Sequence, residues 1–456
     1  MNYTEGLWDA IKGLSWSPPV LLLFMLCGLI CTIKTGFIQI RAPYIFYKSY
    51  LKNKSKKKTT IDFKKLSPWE ALSSALAGTV GTGNVAGVTL AIICGGAGAV
   101  FWIWLSAFLG MATKYVEIYL SVKHRETMPD GSFRGGPMYY MEKCLGNAGR
   151  PLAYSFAFFG AMASFGIGNL AQCREIADAA KGIFSISPAV SGFCLTALTV
   201  YIITGGVKRM GKISAVLVPA MSALYIIASI WILADNFEVL PSIMSDIISQ
   251  AFRPKAMLGG TSGYAFMLAM RQGFARGIFS NEAGLGSSPL AHAAADCSGS
   301  NEQAILGIFE VFISSFVFCT LTAFVILLSV NNHAFTSASS GGDIAAAVFD
   351  MHLPFGIGSL IIRLSLLFFA FSSLVSWSYY GRCCINYIFG YKDSMERIYV
   401  FFFSLCCTFG AIMPSELCWE ISDALNGLMA LPNLIALVLI QIKEIISKDP
   451  IIKSQA

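Results

Sequence analysis

Charge is scarce in this 456-residue chain: Asp, Glu, Lys and Arg together make up 13% of it, against about 25% in an ordinary soluble domain. That excludes a water-soluble globular protein. Histidine is scarcer still, with only four residues, His124, His292, His333 and His352, scattered along the chain. No C-x-x-C pair occurs, so neither a zinc site nor a redox motif has the spacing it needs. The 13 cysteines lie mostly inside apolar runs, where a thiol behaves as a small apolar side chain, and no disulfide framework is implied. The first 17 residues carry Glu5, Asp9 and Lys12 but no basic leader or small-residue cleavage site, so the first apolar run is expected to be retained.

What fills the chain instead is apolar: 55% hydrophobic residues, with a mean hydropathy of +0.64. Runs near the roughly 20 residues a bilayer requires fall at 17–40, 68–94, 98–122, 151–176, 189–206, 213–234, 262–286, 304–330, 357–381, 396–413 and 420–442. The expectation is an all-α integral membrane protein of about eleven spans. Lys and Arg stay on the cytoplasmic side of short loops. The loop after the first run holds Arg41, Lys48, Lys52, Lys54, Lys56, Lys57, Lys58, Lys64 and Lys65, and alternate loops add Lys123, Arg125, Arg134, Lys208, Arg209 and Lys212. Lys443, Lys448 and Lys453 put the tail on the same side. The amino terminus is therefore expected outside and the carboxyl terminus in the cytoplasm of a cell membrane. This asymmetry accounts for the net charge of +7. The lysine cluster has no interleaved aromatics and suits anionic lipid head groups rather than nucleic acid.

Two apolar runs are interrupted, at Gly78-Thr79-Val80-Gly81-Thr82-Gly83-Asn84 and at Gly277-Ile278-Phe279-Ser280-Asn281-Glu282-Ala283-Gly284-Leu285-Gly286. Unwound backbone at membrane depth is tolerated only where it is buried in protein or lines a cavity, and a pair of interrupted spans in corresponding halves points to a transporter's binding site. The breaks open the first span of two five-span groups. The implied organisation is an amino-terminal segment over 1–67, a first repeat over 68–240, an inverted second repeat over 241–442 and a tail over 443–456. The first break also fits a relaxed dinucleotide fingerprint, but no strand precedes it and the reading fails. Its amides at Thr82, Gly83 and Asn84 suit a carboxylate, and the carbonyls near Gly78 suit a cation. Close packing through Gly78, Gly83 and Gly87 is the alternative. In the second break, carbonyls near Gly277 to Ser280 suit an ammonium group. Glu282 there neutralises Arg276 or Arg271, holds the break open, or meets the substrate.

Three further groups carry polarity into apolar runs. Gln172 and Asn169 are either ligand hooks or interhelical hydrogen bonds. Ser372 and Ser373 offer two uncharged oxygens to a monovalent cation, or glue helices together, with Trp377 beside them as an aromatic wall. His292 and Asp296 stand at i and i+4 as a base and its orienter would, but no nucleophile or phosphate-binding loop accompanies them and catalysis is not expected. Outside the spans, short helices are expected over 343–351 and 241–251, the latter with Ile243, Ile247 and Ile248 on one face.

Several stretches resemble the alanine or glycine:cation symporters. They are Gly78 to Gly87, Gly95 to Trp104, Gly135-Gly136-Pro137-Met138-Tyr139-Tyr140, Gly205 to Arg209, Phe279 to Ser287, Trp377 to Gly381 and Asn426 to Asn433. The resemblance runs along nearly the whole chain and implies a leucine-transporter-like core of five plus five inverted helices behind one leading helix. It further implies substrate contacts at Thr82, Gly83, Asn84, Gln172, Gly277, Phe279, Ser280, Asn281 and Trp377, with sodium as coupling ion at Gly78, Gly81, Ser372 and Ser373. The chain departs from the family pattern at Cys173-Arg174 and at Ser314-Ser315. The function implied is symport of a small neutral amino acid, alanine or glycine, with sodium. A proton-coupled carrier, and a passive channel or substrate sensor, are the alternatives. No protein partner is inferred. A protease site inserted between Lys54 and Lys58 is expected to be cut only from the cytoplasmic face of sealed vesicles; cutting from the outer face would reverse the topology.

Overall fold

The computed structural model describes residues 15–53, 66–128, 131–252, 262–297, 299–329 and 340–447, together with Trp8 and Gly13. The lysine cluster at 54–65, Arg253, Lys255, Lys448 and Lys453 lie outside the described residues. The described chain is helical apart from one two-stranded hairpin, Glu126–Thr127 paired with Phe133–Arg134.

The leading helix α1 (Pro18–Lys34) starts on two prolines, whose fixed φ and missing N–H are tolerated only in a first turn. It bends by 49° at Thr35 to Phe37 into α2 (Ile38–Asn53), through Gly36 and Phe37 at φ 62° and 55°. Helix α3 (Pro68–Thr79) opens on a capping box in which the Glu70 N–H donates to Ser67 Oγ at 3.1 Å and the Ser67 N–H to Glu70 Oε2 at 2.8 Å. At Val80 the helix stops. A wide π-helical turn over Gly83–Gly87 leads into α4 (Val88–Gly95), bent 45° from α3. A long straight helix, α5 (Gly98–Lys123), follows and is buried along most of its length.

The chain continues through α6 (Pro137–Leu145), α7 (Gly149–Phe165), a second π-helical turn at Gly166–Leu170, α8 (Ala171–Phe184), α9 (Pro188–Ile203) and α10 (Gly206–Asp235). The second half begins with α11 (Leu240–Phe252) and α12 (Ser262–Asn281), then an irregular joint and the short α13 (Ser288–Ala293). After it come α14 (Ser300–Val311), a third π-helical stretch at Phe312–Cys319 and α15 (Thr320–Leu328). Last are α16 (Gly341–His352), α17 (Ile357–Phe389), α18 (Asp393–Ile412) and α19 (Ser415–Ser447). Both expected extramembrane helices are present as α11 and α16. On α11, Ile243 and Ile247 are buried while Ile248 is exposed.

Among the described residues seven helices are long and apolar enough to cross a membrane, or nine if each bent pair is one span. The difference from eleven has a physical source. Helix α9 is apolar but only 16 residues long, about 24 Å at 1.5 Å per residue, and α12 carries Arg271 and Arg276 within its 20 residues. Large apolar side chains on the outer helices face outward, among them Phe193 on α9, Trp231 on α10 and Phe401 on α18, each more than 60% exposed. The molecule is a multi-pass membrane protein, and these side chains would meet lipid.

The interior reverses the pattern. Helices α5, α12 and α14 pack together at the centre, with buried polar residues along their shared faces. The close approach of α5 and α12 runs through Gly273, where an added Cβ would lie 2.3 Å from the Ala99 carbonyl oxygen and 2.6 Å from Trp102 Cβ. Gly273→Ala is expected to force the two helices apart at a cost of about 1–3 kcal/mol, read as a lowered unfolding temperature in detergent.

Candidate functional site

Where α3 ends, the chain turns on itself: the Gly81 N–H donates to Asn84 Oδ1 at 2.9 Å and the Asn84 N–H to the Gly81 carbonyl at 3.2 Å. Asn84 thus caps the break with its acceptor and reaches outward with its donor. Its Nδ2 donates to the Ser314 carbonyl at 2.8 Å and to Ser314 Oγ at 2.9 Å, in the π-helical stretch that follows α14. The Ser314 hydroxyl lies 2.8 Å from the Ser280 carbonyl, 3.3 Å from the Thr79 carbonyl and 3.1 Å from Ser280 Oγ. Oxygens from both breaks therefore converge on Ser314. Asn84, Ser280 and Ser314 are all buried.

Thr82 faces the other way and donates from Oγ1 to Gln172 Oε1 at 3.3 Å. Gln172 stands at the start of α8, just past the second π-helical turn, and its Nε2 donates to the Ile167 carbonyl at 2.9 Å. Gly83 packs under Phe279, whose Cδ1 lies 2.7 Å from the place a Cβ would take. Thr82, Gly83, Gln172, Phe279 and Ser280 thus belong to one neighbourhood. Asn169 does not: its Nδ2 donates to the Phe403 carbonyl at 2.6 Å, an interhelical bond to α18. Arg174 pairs with Asp178 at 2.6 Å and reaches the Met413 carbonyl at 3.1 Å, the far end of α18.

Ser372 and Ser373 on α17 meet the carbonyls that end α3. Ser373 Oγ lies 2.9 Å from the Ala77 carbonyl and 3.5 Å from that of Gly78, and Ser372 Oγ lies 3.3 Å from the Ala77 carbonyl. Gly81 closes the group, because a Cβ there would stand 2.7 Å from Ser373 Oγ. Two hydroxyls and two carbonyls facing one another, with no charge among them, suit a desolvated monovalent cation.

The second joint lies later in the chain than its glycine content suggests. Helix α12 runs through Asn281, so Gly277 to Ser280 are helical and only the last carbonyls of the helix lack intrahelical partners. Gly277 serves close approach to Ser106 on α5. The irregular segment is Glu282 to Ser287, with φ of 54° at Glu282, 87° at Gly284 and 79° at Gly286. Asn281 Nδ2 donates to Ser315 Oγ at 3.2 Å while its Oδ1 accepts the Ala283 N–H at 3.0 Å. Glu282 Oε1 accepts the Trp377 indole N–H at 2.9 Å, and its Oε2 accepts the Ser287 hydroxyl. Arg276 pairs with Asp423 on α19, at 2.8 and 3.1 Å, so holding the joint by hydrogen bonds is the reading of Glu282 that fits. Trp377 is accordingly turned to Glu282. A different aromatic pair, Phe279 and Trp419, packs at a tilt with ring centroids 5.1 Å apart and the Arg276 guanidinium over both rings, and the Trp419 indole N–H donates to Glu175 Oε1 at 3.3 Å.

His292 has no Asp296 partner on a shared helix, since α13 ends at Ala293. Its Nε2 lies 3.0 Å from Glu310 Oε2 and its Nδ1 2.7 Å from Gln303 Nε2. The motifs do not include Lys114, Glu117, Glu310, Asp423 and Trp419, and they mark Ser314 only as a departure from the family pattern. The four charged residues among them were signalled by their place in apolar runs, where an ionisable side chain marks function by default.

Membrane-spanning helices interrupted in the interior, with polar joints meeting there, define a transporter. The chain belongs to the sodium:alanine symporter family, which it matches over residues 1–448. The family is one of amino acid:cation symporters, not of enzymes. The chain is 40% identical over 437 residues to the sodium/alanine symporter AgcS of Methanococcus maripaludis, covering 95% of this chain and 94% of that one. It is 34% identical over 432 residues to the probable sodium/glutamine symporter GlnT of Bacillus subtilis, covering 94% and 87%. In fold it is similar to a Na+-coupled sialic acid symporter, with a TM-score of 0.59 and 13% identity over 94% of this chain and 86% of the other. Asn84→Ala, which takes the donor from the Ser314 carbonyl and the acceptor from the Gly81 amide in an apolar interior, is expected to destabilise the fold by about 1–3 kcal/mol, measured by thermal unfolding.

Proposed function

We propose that the protein imports a small neutral amino acid, alanine or glycine, together with sodium by alternating access. The observation that carries this reading is the meeting of Thr82, Gln172 and the last turn of α12 beside the uncharged oxygen cluster of Ala77, Gly78, Ser372 and Ser373. The substrate carboxylate takes the amides of Thr82 and Gly83, where the chain re-enters a helix; the Asn84 amide, also expected there, is given to the Gly81 carbonyl at 3.2 Å. The ammonium takes the terminal carbonyls of α12 from Phe279 to Asn281, and Gln172 orients the zwitterion between them. Phe279 leaves little room beyond a methyl side chain. Sodium takes the carbonyls near Gly78 and the hydroxyls of Ser372 and Ser373, with Gly81 keeping the space clear.

The topology proposed with it has eleven spans, one leading helix and two inverted repeats over 68–240 and 241–442, with the amino terminus outside and the carboxyl terminus in the cytoplasm. Counting α9 and α12 with the nine long or bent apolar helices supports that number. On the outer side so defined, Gly341 of α16 presses on Ala86 in the first joint, and the plug of Arg276, Asp423, Phe279 and Trp419 ties α12 to α19. On the inner side a cavity bounded by Leu66, Ser74, Met210, Ala291, Ser376 and Tyr380 leads toward the end of α3. A recess of similar size lies on the outer side, bounded by Glu175, Asp178, Ser340, Asp343 and Arg363, and recesses on both sides of a closed centre suit alternating access.

One cation crossing inward is worth about 2.3 kcal/mol per 100 mV, enough to concentrate a neutral amino acid about fiftyfold. The sodium gradient adds to this. Proteoliposomes are expected to accumulate alanine under an inward sodium gradient and not when potassium replaces sodium; uptake indifferent to the cation gradient would refute symport, and uptake driven by a proton gradient alone would favour the proton-coupled alternative. Gln172→Ala is expected to weaken alanine binding about tenfold, the worth of one buried hydrogen bond to a charged group, and Ser373→Ala to raise the sodium concentration for half-maximal uptake.

A further inference from the structure

Two opposite charges one turn apart on α5, Lys114 and Glu117, are fully buried in a helix that is otherwise apolar or small. They hold the irregular joint between α12 and α13 at its middle and just past its end. Glu117 Oε2 accepts the Gly284 N–H at 3.2 Å, and its Oε1 accepts Asn433 Nδ2, which also donates to the Gly284 carbonyl at 2.9 Å. Tyr140 in turn donates to Asn433 Oδ1. Just past the end of the joint, Lys114 Nζ donates to Ser288 Oγ at 2.7 Å and pairs with Glu310 Oε1 at 3.4 Å; Glu310 Oε2 lies 3.0 Å from His292 Nε2.

The spacing explains the pairing. Residues three apart share one helix face, so a single turn of α5 presents an acceptor to Gly284 and a donor to Ser288. The joint from Glu282 to Ser287 holds three residues with positive φ, two of them glycine. Backbone in that conformation has no helical ladder to hold it. In a dry interior its shape is set by whichever side chains take its amides and carbonyls, and an ionised acceptor makes a hydrogen bond roughly twice as strong as a neutral one.

We infer that Lys114 and Glu117 are positioning residues for substrate binding: a charged clamp on α5 that fixes the joint following α12 and so aims the terminal carbonyls of α12 at the substrate amine. The inference rests on the proposed role of those carbonyls. The partners of the clamp, Gly284 and Ser288, are not among the residues proposed for sodium, so its direct effect is on the amino acid. The two grips differ in kind: Glu117, with neutral Asn433 beside it, takes the backbone of Gly284, whereas Lys114 holds the side chain of Ser288 at the start of α13.

The test uses the full chain in proteoliposomes. Glu117→Gln keeps the volume and removes the charge; it is expected to raise the KM for alanine about tenfold or more, to change Vmax far less, and to leave the sodium dependence within about twofold. Amide hydrogen exchange over residues 280–288 is expected to speed up in the same variant. Lys114→Met combined with Glu310→Gln, which removes the far grip without stranding a charge, is expected to do likewise. If Glu117→Gln does not fold, Glu117→Asp keeps the charge but withdraws it from Gly284, and it too should weaken alanine binding. Faster exchange with unchanged alanine KM, or loss of Vmax alone, would reduce the clamp to a structural element and overturn the inference. A wild-type protein that fails to bind alanine would instead overturn the reading of the site, and the exchange data would still report on the clamp.

Discussion

Every backbone amide and carbonyl released inside an apolar interior must find a partner within the protein. In this chain that requirement governs the arrangement around both joints. The polar residues clustered at the centre, Asn84, Ser314, Asn281, Glu282, Glu117 and Asn433, are buried side chains whose donors and acceptors meet backbone groups or one another. Remove the breaks and these side chains would have no reason to be there. Remove the side chains, and the breaks would close into helix or cost several kcal/mol per stranded group.

The two joints meet the requirement differently. The first is braced by its own Asn84 and by Ser314, Ser372 and Ser373 on neighbouring helices, and its Thr82 hydroxyl reaches Gln172. The second is braced on several sides, by α5, α17, α19 and the stretch after α14, through Glu117, Trp377, Asn433 and Ser315. Both joints are thus held from several helices, the first by neutral side chains and the second by the carboxylates of Glu117 and Glu282 as well.

Much of this was legible before any coordinate. Composition alone identifies the membrane class, and the glycine breaks, Gln172 and the Ser372-Ser373 pair could be named because polarity inside an apolar run is costly and so informative. The exact joint was not legible: Gly277 reads as a breaker, yet it is a contact glycine on an intact helix, and the chain unwinds at Glu282. A glycine chosen for close approach and one chosen for positive φ look alike in sequence. The partners of Glu282 and His292 were equally hidden, since Trp377 and Glu310 lie far along the chain and only tertiary packing brings them close. Lys114, Glu117 and Glu310 were visible as charges in apolar runs, but nothing local says which backbone group each one holds.

Three π-helical stretches, at Gly83–Gly87, Gly166–Leu170 and Phe312–Cys319, border the same central region. A π-helical turn is an α-helix carrying one surplus residue, so each marks a place where the helix has been lengthened without shifting its ends. The surplus residue sets the phase of everything after it. Deleting a single residue from Gly166–Leu170 would restore regular α-helix and rotate the rest of α8 by about 100°, carrying Gln172 off the face it shares with Thr82. The azimuth of the central polar side chains is therefore written in chain length as much as in residue identity, and one residue gained or lost at Gly166–Leu170 would re-aim Gln172 without changing any side chain around it.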